Sequence, residues 1–275
     1  MPTKLINIGN IAVGGDRPLA IIAGPCVIES RESALRHAAA LKERAERVGV
    51  PYIFKSSYDK ANRSSVDSFR GVGLEKGLAV LAEIKQKVGV PVLTDVHEIA
   101  QVAAAKEVAD ILQIPAFLCR QTDFVAAVAQ SGKVVNVKKG QFLAPWDMRY
   151  VIDKIVSNGN QQILVTERGA SFGYNNLVSD MRSLVVMREM GYPVVFDATH
   201  SLQLPGGLGQ ASGGERKYIP ALSRAGVAAG VDALFMEVHE NPDQALSDGP
   251  NSLALANFEA LIRKVKEIDA LVKGL

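Results

Sequence analysis

Twelve consecutive residues, Phe54-Lys55-Ser56-Ser57-Tyr58-Asp59-Lys60-Ala61-Asn62-Arg63-Ser64-Ser65, carry three cations and five hydroxyls directly after the apolar run Pro51 to Phe54. Ammonium and guanidinium groups set among serine and asparagine donors suit phosphate and carboxylate, because charge-assisted hydrogen bonds exceed neutral ones in strength. Single lysines are mostly exposed, so a solvated loop is the plain alternative; the clustering argues for an anion site. Lys138 and Arg168 add two more cations. Together with Lys55 and Lys60 they suit a doubly anionic small molecule, the competing reading being structural ion pairs to Asp95 or Glu167. A desolvated lysine can also attack a carbonyl as a Schiff-base nucleophile, but four or more crowded cations fit anion binding better than one nucleophile. Cys26, His200, Glu237 and Asp248 offer one sulfur, one nitrogen and two oxygen donors. That mixture suits a divalent transition metal such as zinc, iron or manganese rather than magnesium. No two of them share a short motif, and a buried cysteine is ordinarily a small hydrophobe.

Elements able to bring such scattered residues together are written in the hydrophobic pattern. Ile6-Asn7-Ile8 and Ile11-Ala12-Val13 flank Gly9-Asn10, alternation about a two-residue turn that predicts a hairpin over about residues 4–15, placed to plug one end of the main fold. Eight β-prone runs come next: Leu19–Ala23, Tyr52–Phe54, Pro91–Leu93, Ile111–Ile114, Val134–Val137, Ile163–Val165, Pro193–Phe196 and Ala233–Met236. They recur about every 31 residues, with helix-like segments such as Glu32–Arg47, Leu74–Lys87 and Phe258–Val272 between them. Strand and helix in alternation imply a parallel sheet with right-handed crossovers.

An open sheet and a closed barrel both satisfy this pattern, and the polar residues choose between them. Each run leads into chemistry: Cys26, Lys55, Asp95 with His97, Gln113, Lys138, Arg168, Asp197 with His200, and Glu237 with His239. Only a barrel brings all these ends to one mouth, so the expectation is an α/β fold, a single (β/α)8 (TIM) barrel spanning residues 1–275. Strands one, seven and eight are contiguous in a closed barrel, which would gather Cys26, His200 and Glu237, with Asp248 on the loop leaving the last strand. Two long glycine-bearing connections, Ser201–Gly214 and Glu240–Pro250, are read as lids.

Composition is ordinary, with 48% hydrophobic and 22% charged residues and a net charge of +2, so nothing calls for a nucleic-acid partner. No apolar run reaches the length of a membrane span, and the first twenty residues lack the basic start and apolar stretch of a signal peptide. The two cysteines, Cys26 and Cys119, give no disulfide framework and fit a reducing, cytoplasmic location.

Five stretches carry a resemblance that extends over nearly the whole chain: Lys60-Ala61-Asn62-Arg63-Ser64, Gln113-Ile114-Pro115-Ala116-Phe117-Leu118, Arg120-Gln121-Thr122-Asp123, Asn136-Val137-Lys138-Lys139 and Phe172-Gly173-Tyr174-Asn175-Asn176-Leu177. The chain resembles the 3-deoxy-D-manno-octulosonate 8-phosphate synthases. The resemblance implies a homotetrameric barrel transferase that joins phosphoenolpyruvate to D-arabinose 5-phosphate, with loss of inorganic phosphate, on the route to the Kdo sugar of lipopolysaccharide. Related heptulosonate 7-phosphate synthases, which use erythrose 4-phosphate, typically carry a Lys-Pro-Arg-Thr-Ser type sequence where this chain has Lys60 to Ser64, a departure that favours the pentose. By the same resemblance Lys55, Lys60, Gln113, Lys138 and Arg168 hold phosphoenolpyruvate, with Lys138 and Arg168 on its phosphate. Asn62, Arg63 and Ser64 hold the pentose phosphate, helped by Arg120 of a neighbouring subunit. Gly24-Pro25-Cys26, Gln203-Leu204-Pro205-Gly206-Gly207 and Ser247-Asp248-Gly249 resemble the metal-dependent branch, which implies the metal set Cys26, His200, Glu237 and Asp248. Lys138, His200, Asp248 and His97 are the candidates for catalysis and proton movement. A sugar-phosphate-binding protein without catalysis is the remaining reading, disfavoured because no key polar position looks replaced.

Overall fold

All eight apolar runs pair as parallel strands in the computed structural model, which describes residues 2–63, 65–206 and 213–274. They are β1 (Ala20–Gly24), β2 (Tyr52–Lys55), β3 (Val92–Asp95), β4 (Ile111–Ile114), β5 (Val134–Lys138), β6 (Ile163–Glu167), β7 (Val194–Asp197) and β8 (Ala233–His239). Each pairs with the next, and β8 pairs with both β7 (Val195↔Ala233) and β1 (Ala233↔Ala20 through Glu237↔Gly24), so the sheet closes on itself. Most of these strands run further toward their carboxyl ends than the apolar runs do. Lys55, Asp95, Lys138, Glu167, Asp197 and Glu237 are strand residues, because ladder pairing uses the backbone and is indifferent to a polar side chain that has buried partners.

Eight helices cover the barrel: α1 (Arg31–Val48), α2 (Leu74–Val88), α3 (Ile99–Val108), α4 (Thr122–Ala129), α5 (Met148–Ser157), α6 (Met181–Arg188), α7 (Ile219–Ala228) and α8 (Leu255–Lys273). In α1 the local reasons are plain. Ser30 accepts the Ser33 amide as N-cap, Gly49 ends the helix at φ 71°, and Ala34, Ala38, Leu41, Ala45 and Val48 make the buried stripe.

The amino-terminal hairpin is Ile6–Ile8 paired with Ile11–Val13. Its four apolar side chains, Ile6, Ile8, Ile11 and Val13, pack on barrel-interior residues including Ile22, Ile53, Leu93, Leu164 and Phe235, and close the amino end of the barrel. Side chains on a strand repeat their face every two residues. Moving two residues up from this floor therefore exchanges apolar for polar: Ile53 gives Lys55, Leu93 gives Asp95, Ile111 gives Gln113, Val195 gives Asp197 and Phe235 gives Glu237. On β5, Val134 is followed by Asn136 and Lys138 on the same face. One lumen thus has a greasy floor and a charged mouth.

Candidate active site

Gly24 opens the site. A Cβ there would lie 2.0 Å from the Lys55 carbonyl oxygen, so only glycine lets β1 run this close to β2. The approach brings Cys26 over the end of β2, where Lys55 Nζ donates to the Cys26 carbonyl at 3.0 Å and to Ser57 Oγ at 3.0 Å. Lys55 also faces Glu237 Oε1 at 3.6 Å and Asp95 Oδ1 at 3.9 Å, and Lys60 Nζ reaches Glu237 Oε1 at 3.8 Å. Burial pulls the Lys60 pKa down, but the Glu237, Asp95 and Asp248 carboxylates, with Cys26 when it is ionised, outweigh it and hold the ammonium well above the usual lysine range.

Across the mouth, Asp197 is fully buried and fully engaged. Its Oδ2 accepts from Lys138 Nζ at 2.6 Å and from His200 Nδ1 at 2.7 Å. Its Oδ1 accepts from the Thr199 amide, the Thr199 hydroxyl and the His200 amide at 3.2, 2.9 and 2.8 Å. A carboxylate on Nδ1 places the imidazole proton there and leaves Nε2 with its lone pair outward. Lys138 Nζ also lies 4.2 Å from the Phe235 ring centroid. Burial lowers the Lys138 pKa, with the Lys55 and Arg168 charges adding to the effect against the pull of Asp197. Arg168 follows β6, buried, with Nη2 bonded to Gln203 Oε1 and Nη1 without a hydrogen-bond partner among the described residues. Gln113 accepts from Asn136 Nδ2 at 3.0 Å, and Asn136 accepts from Thr166 Oγ1 at 2.6 Å, a buried polar belt across β4 to β6.

Three of the four expected metal donors cluster, with His200 beside two of them. One ligand atom each from Cys26, Glu237 and Asp248 lie within 4.8 Å of one another. His200 Nε2 stands 3.3 Å from Glu237 Oε1 and 3.9 Å from Asp248 Oδ2, while Cys26 Sγ lies 3.1 Å from Asp248 Oδ2 and 2.9 Å from Ser247 Oγ. The His200–Glu237 approach is an ion-pair distance without hydrogen-bond directionality, since both Glu237 oxygens are buried with no hydrogen-bond partner among the described residues. An acceptor-only carboxylate left so in a protein interior is costly unless something else takes its lone pairs. Burial raises the Glu237 pKa, yet the His200 ring in its protonated form, with the Lys60 and Lys55 ammonium groups, holds the carboxyl well below the carboxylate range. Burial pushes the Cys26 thiol up, and the charges of Asp248 and Glu237 push it further. This corner can hold a cation.

Other expected residues are placed differently. Asn62 is exposed and Arg63 half-buried, with Arg63 Nε donating to the Phe69 carbonyl at 3.1 Å and Nη2 reaching the Leu246 carbonyl of the last lid at 3.4 Å. Ser64 lies outside the described residues, as do residues 207–212 of the first lid, Gly207 of the Gln203–Gly207 motif among them. Arg120 is exposed between β4 and α4, and among the described residues no hydrogen bond or ion pair of its side chain joins it to the cluster. His97 Nε2 pairs with Asp95 Oδ2 at 3.0 Å, its ring set edge-on to Tyr58, so it meets the mouth only through Asp95. The ion-pair alternative holds for Lys55 with Asp95. Glu167, however, takes Lys139 at 3.5 Å and accepts from the Arg168 amide at 3.0 Å, and among the described residues the Arg168 guanidinium makes no ion pair with it. Asp197, Gln203, Ser247 and Thr199 are the site residues to which no role was given; Asp197 had a signal in lying two residues above Val195 on a strand end, and Gln203 and Ser247 in the motifs that contain them, whereas Thr199 had none.

A closed parallel barrel with a cationic mouth and a thiol, imidazole and carboxylate corner at its carboxyl end is the architecture of a (β/α)8 enzyme acting on anions, and the chain belongs to the DAHP synthetase I family, whose profile matches residues 3–274. Its relatives include the 2-dehydro-3-deoxyphosphooctonate aldolases of Trichlorobacter lovleyi (61% identity over 271 residues, 98% of this chain and 100% of that protein), Geotalea daltonii (61% over 270, 98% and 99%) and Geotalea uraniireducens (62% over 270, 98% and 99%).

Proposed function

We propose that this chain is a 3-deoxy-D-manno-octulosonate 8-phosphate synthase, condensing phosphoenolpyruvate with D-arabinose 5-phosphate and water and releasing inorganic phosphate. The observation that carries the reading is the buried convergence of Lys55, Lys138 and Arg168 on one barrel mouth, with Arg168 Nη1 unpartnered, in a chain about 61% identical along its length to proteins of that name. Lys138 and Arg168 hold the phosphate of phosphoenolpyruvate, and Lys55, Lys60 and Gln113 complete its site. Asn62, Arg63 and Ser64 take the pentose phosphate.

In the reaction the C2–C3 electron pair of phosphoenolpyruvate forms the new bond to the aldehyde carbon, and the aldehyde oxygen gains a proton. Water adds at C2, and the tetrahedral carbon expels phosphate by C–O cleavage, leaving a ketone. Fixed cations around the phosphate meet the charge that grows as this bond breaks. Lys138 is the group we assign to proton movement, because ligation of an ion would occupy His200 Nε2 and Asp248 Oδ2; a lysine whose pKa is lowered by burial exchanges its proton more readily near neutrality. Cys26, His200, Glu237 and Asp248 fit a divalent zinc, iron or manganese ion, the support being the unpartnered Glu237 oxygens and the clustering of donors. Such an ion would supply Lewis-acid stabilisation and orientation at the aldehyde or the water.

Arg120 serves the site of a neighbouring copy in this reading, in a homotetramer. Exposed Phe117, Phe142, Trp146, Phe172 and Tyr174 on the β4 to β6 connections support an interface there. The two thiols are free, and no described helix is long and apolar enough to cross a membrane; a cytoplasmic location is part of the same proposal. Phosphate release from phosphoenolpyruvate, measured with arabinose 5-phosphate and with erythrose 4-phosphate, each with and without chelator, tests the reading. Faster turnover with arabinose 5-phosphate, abolished by chelator, is expected; equal or better use of erythrose 4-phosphate would assign the chain to the heptulosonate branch whose name the family bears.

A further inference from the structure

Gln203 leaves the short turn His200–Leu202 and begins a two-residue strand whose register is Gln203↔Gly214. Its amide is spent at both ends. Oε1 accepts from Arg168 Nη2, and Nε2 donates to Asp248 Oδ1 at 3.2 Å. A carboxamide offers an acceptor and a donor side by side, which a carboxylate or an aliphatic residue cannot. Among the described residues it is the only side chain hydrogen-bonded to both Arg168 and Asp248.

Each partner has a free side directed elsewhere. Arg168 keeps Nη1 buried and unpartnered, a charged donor in want of an acceptor. Asp248 turns Oδ2 toward Cys26 Sγ at 3.1 Å and His200 Nε2 at 3.9 Å. Asp248 itself stands at φ 52°, in the left-handed region, and a Cβ on the following Gly249 would lie 2.2 Å from the Pro242 carbonyl oxygen. The loop is thus held tightly, at a backbone conformation that persists only where its surroundings enforce it.

We propose that Gln203 couples occupancy of the anion end to occupancy of the cation corner. An anion on Arg168 fixes the guanidinium, and the fixed guanidinium fixes the amide orientation in which Nε2 donates to Asp248. The carboxylate is then presented with Oδ2 toward Cys26 and Glu237. Cation binding acts through the same three side chains in reverse, and by linkage the two effects are equal in size. The inference rests on the assignment of phosphoenolpyruvate to Arg168 and of a divalent cation to Cys26, His200, Glu237 and Asp248.

The test is loss of cobalt(II) from the cobalt-loaded protein to a competing chelator, followed by the thiolate absorption that reports the Cys26 bond, with and without phosphoenolpyruvate and with no sugar present. In the wild type, phosphoenolpyruvate is expected to tighten cobalt by about fivefold or more. Gln203→Leu leaves every charge in place, so through-space attraction between the ligands survives and only the bonded link is lost. Gln203→Met likewise removes the donor to Asp248 without adding charge, keeps the length of the side chain, and serves if the leucine variant folds poorly. In either variant the tightening is expected to fall to less than half its wild-type factor. An unchanged factor, with each ligand alone still bound, overturns the coupling alone. Absence of phosphoenolpyruvate binding or of the thiolate band in the wild type overturns the site assignment and the coupling with it.

Discussion

Asp197→Asn is the substitution in which the geometry of the mouth has the most to lose. The amide is nearly isosteric, and its Oδ1 can keep the three bonds from Thr199 and His200 that shape the turn after β7. The change falls on the other atom. An NH2 replaces Oδ2, so a donor faces Lys138 Nζ and His200 Nδ1, which now sit 2.6 and 2.7 Å from an acceptor. Two charge-assisted bonds are lost, each worth about 1.5–3 kcal/mol. His200 can answer by moving its proton to Nε2, but that nitrogen then offers a proton to the corner where a lone pair is needed. Lys138 has no comparable answer: already lowered by burial and by the Lys55 and Arg168 charges, it loses the one carboxylate that favours its charged form. The expected outcome is metal affinity lower by about 10- to 100-fold, together with a raised KM for phosphoenolpyruvate, in a protein with near-native circular dichroism. Chelator competition and steady-state kinetics read the two effects separately. A variant that binds metal and phosphoenolpyruvate as the wild type does would refute the claim that Asp197 sets the tautomer of His200 and the charge of Lys138.

Arg168→Ala removes a buried guanidinium from the phosphate and should lower kcat/KM for phosphoenolpyruvate by about 10- to 100-fold, the equivalent of one charge-assisted interaction; unchanged kinetics would place Arg168 outside the site. Cys26→Ala should lose both bound metal, by elemental analysis, and turnover, whereas metal-free protein working at full rate would reduce Cys26 to a packing residue. Burial acts to raise the Asp95 pKa, but Lys55, Lys60 and His97 hold it well below the carboxylate range; a depressed folded-state pKa contributes stability that is fully present above the unfolded value of about 3.9 and is lost as pH falls through it toward the folded value. Asp95→Asn should therefore flatten the acid limb of thermal stability between about pH 5 and pH 2, and parallel limbs in the two proteins would contradict that account. Mixing inactive Arg120→Ala and Lys138→Ala chains should restore activity if Arg120 completes a neighbour's site, and a fully active monomer in sedimentation would rule this out.

Much of this protein is legible from local pattern. Eight apolar runs at a steady spacing foretell eight strands, and the two-residue period carries each strand from an apolar floor to a polar residue at the mouth, as from Ile53 to Lys55 or from Phe235 to Glu237. Alternation is a property of the chain itself, so it needs no tertiary knowledge. The hairpin about Gly9-Asn10 and its place under the barrel are legible in the same way, as are the polar residues at the strand ends. Closure of the barrel, inferred from those polar ends, is what makes neighbours of Cys26, His200, Glu237 and Asp248.

Pairing within the mouth is another matter. That Lys138 belongs to Asp197, 59 positions away, while Lys139 takes Glu167, depends on which strand ends face one another and at what height, and adjacent lysines give no sign of it. Gln203 reads as one polar residue in a glycine-bearing lid until folding sets Arg168 at one end of its amide and Asp248 at the other. His97 looks like a catalytic base by type, yet its place beside Asp95 and Tyr58 is fixed by the packing of β3 and the loop after β2. The sequence alone thus determined which strand-end residues face the mouth, because side-chain alternation is local. Tertiary structure alone decided which of them hold one another, because a hydrogen bond reaches about 3 Å and only closure of the barrel brings residues tens of positions apart within that distance.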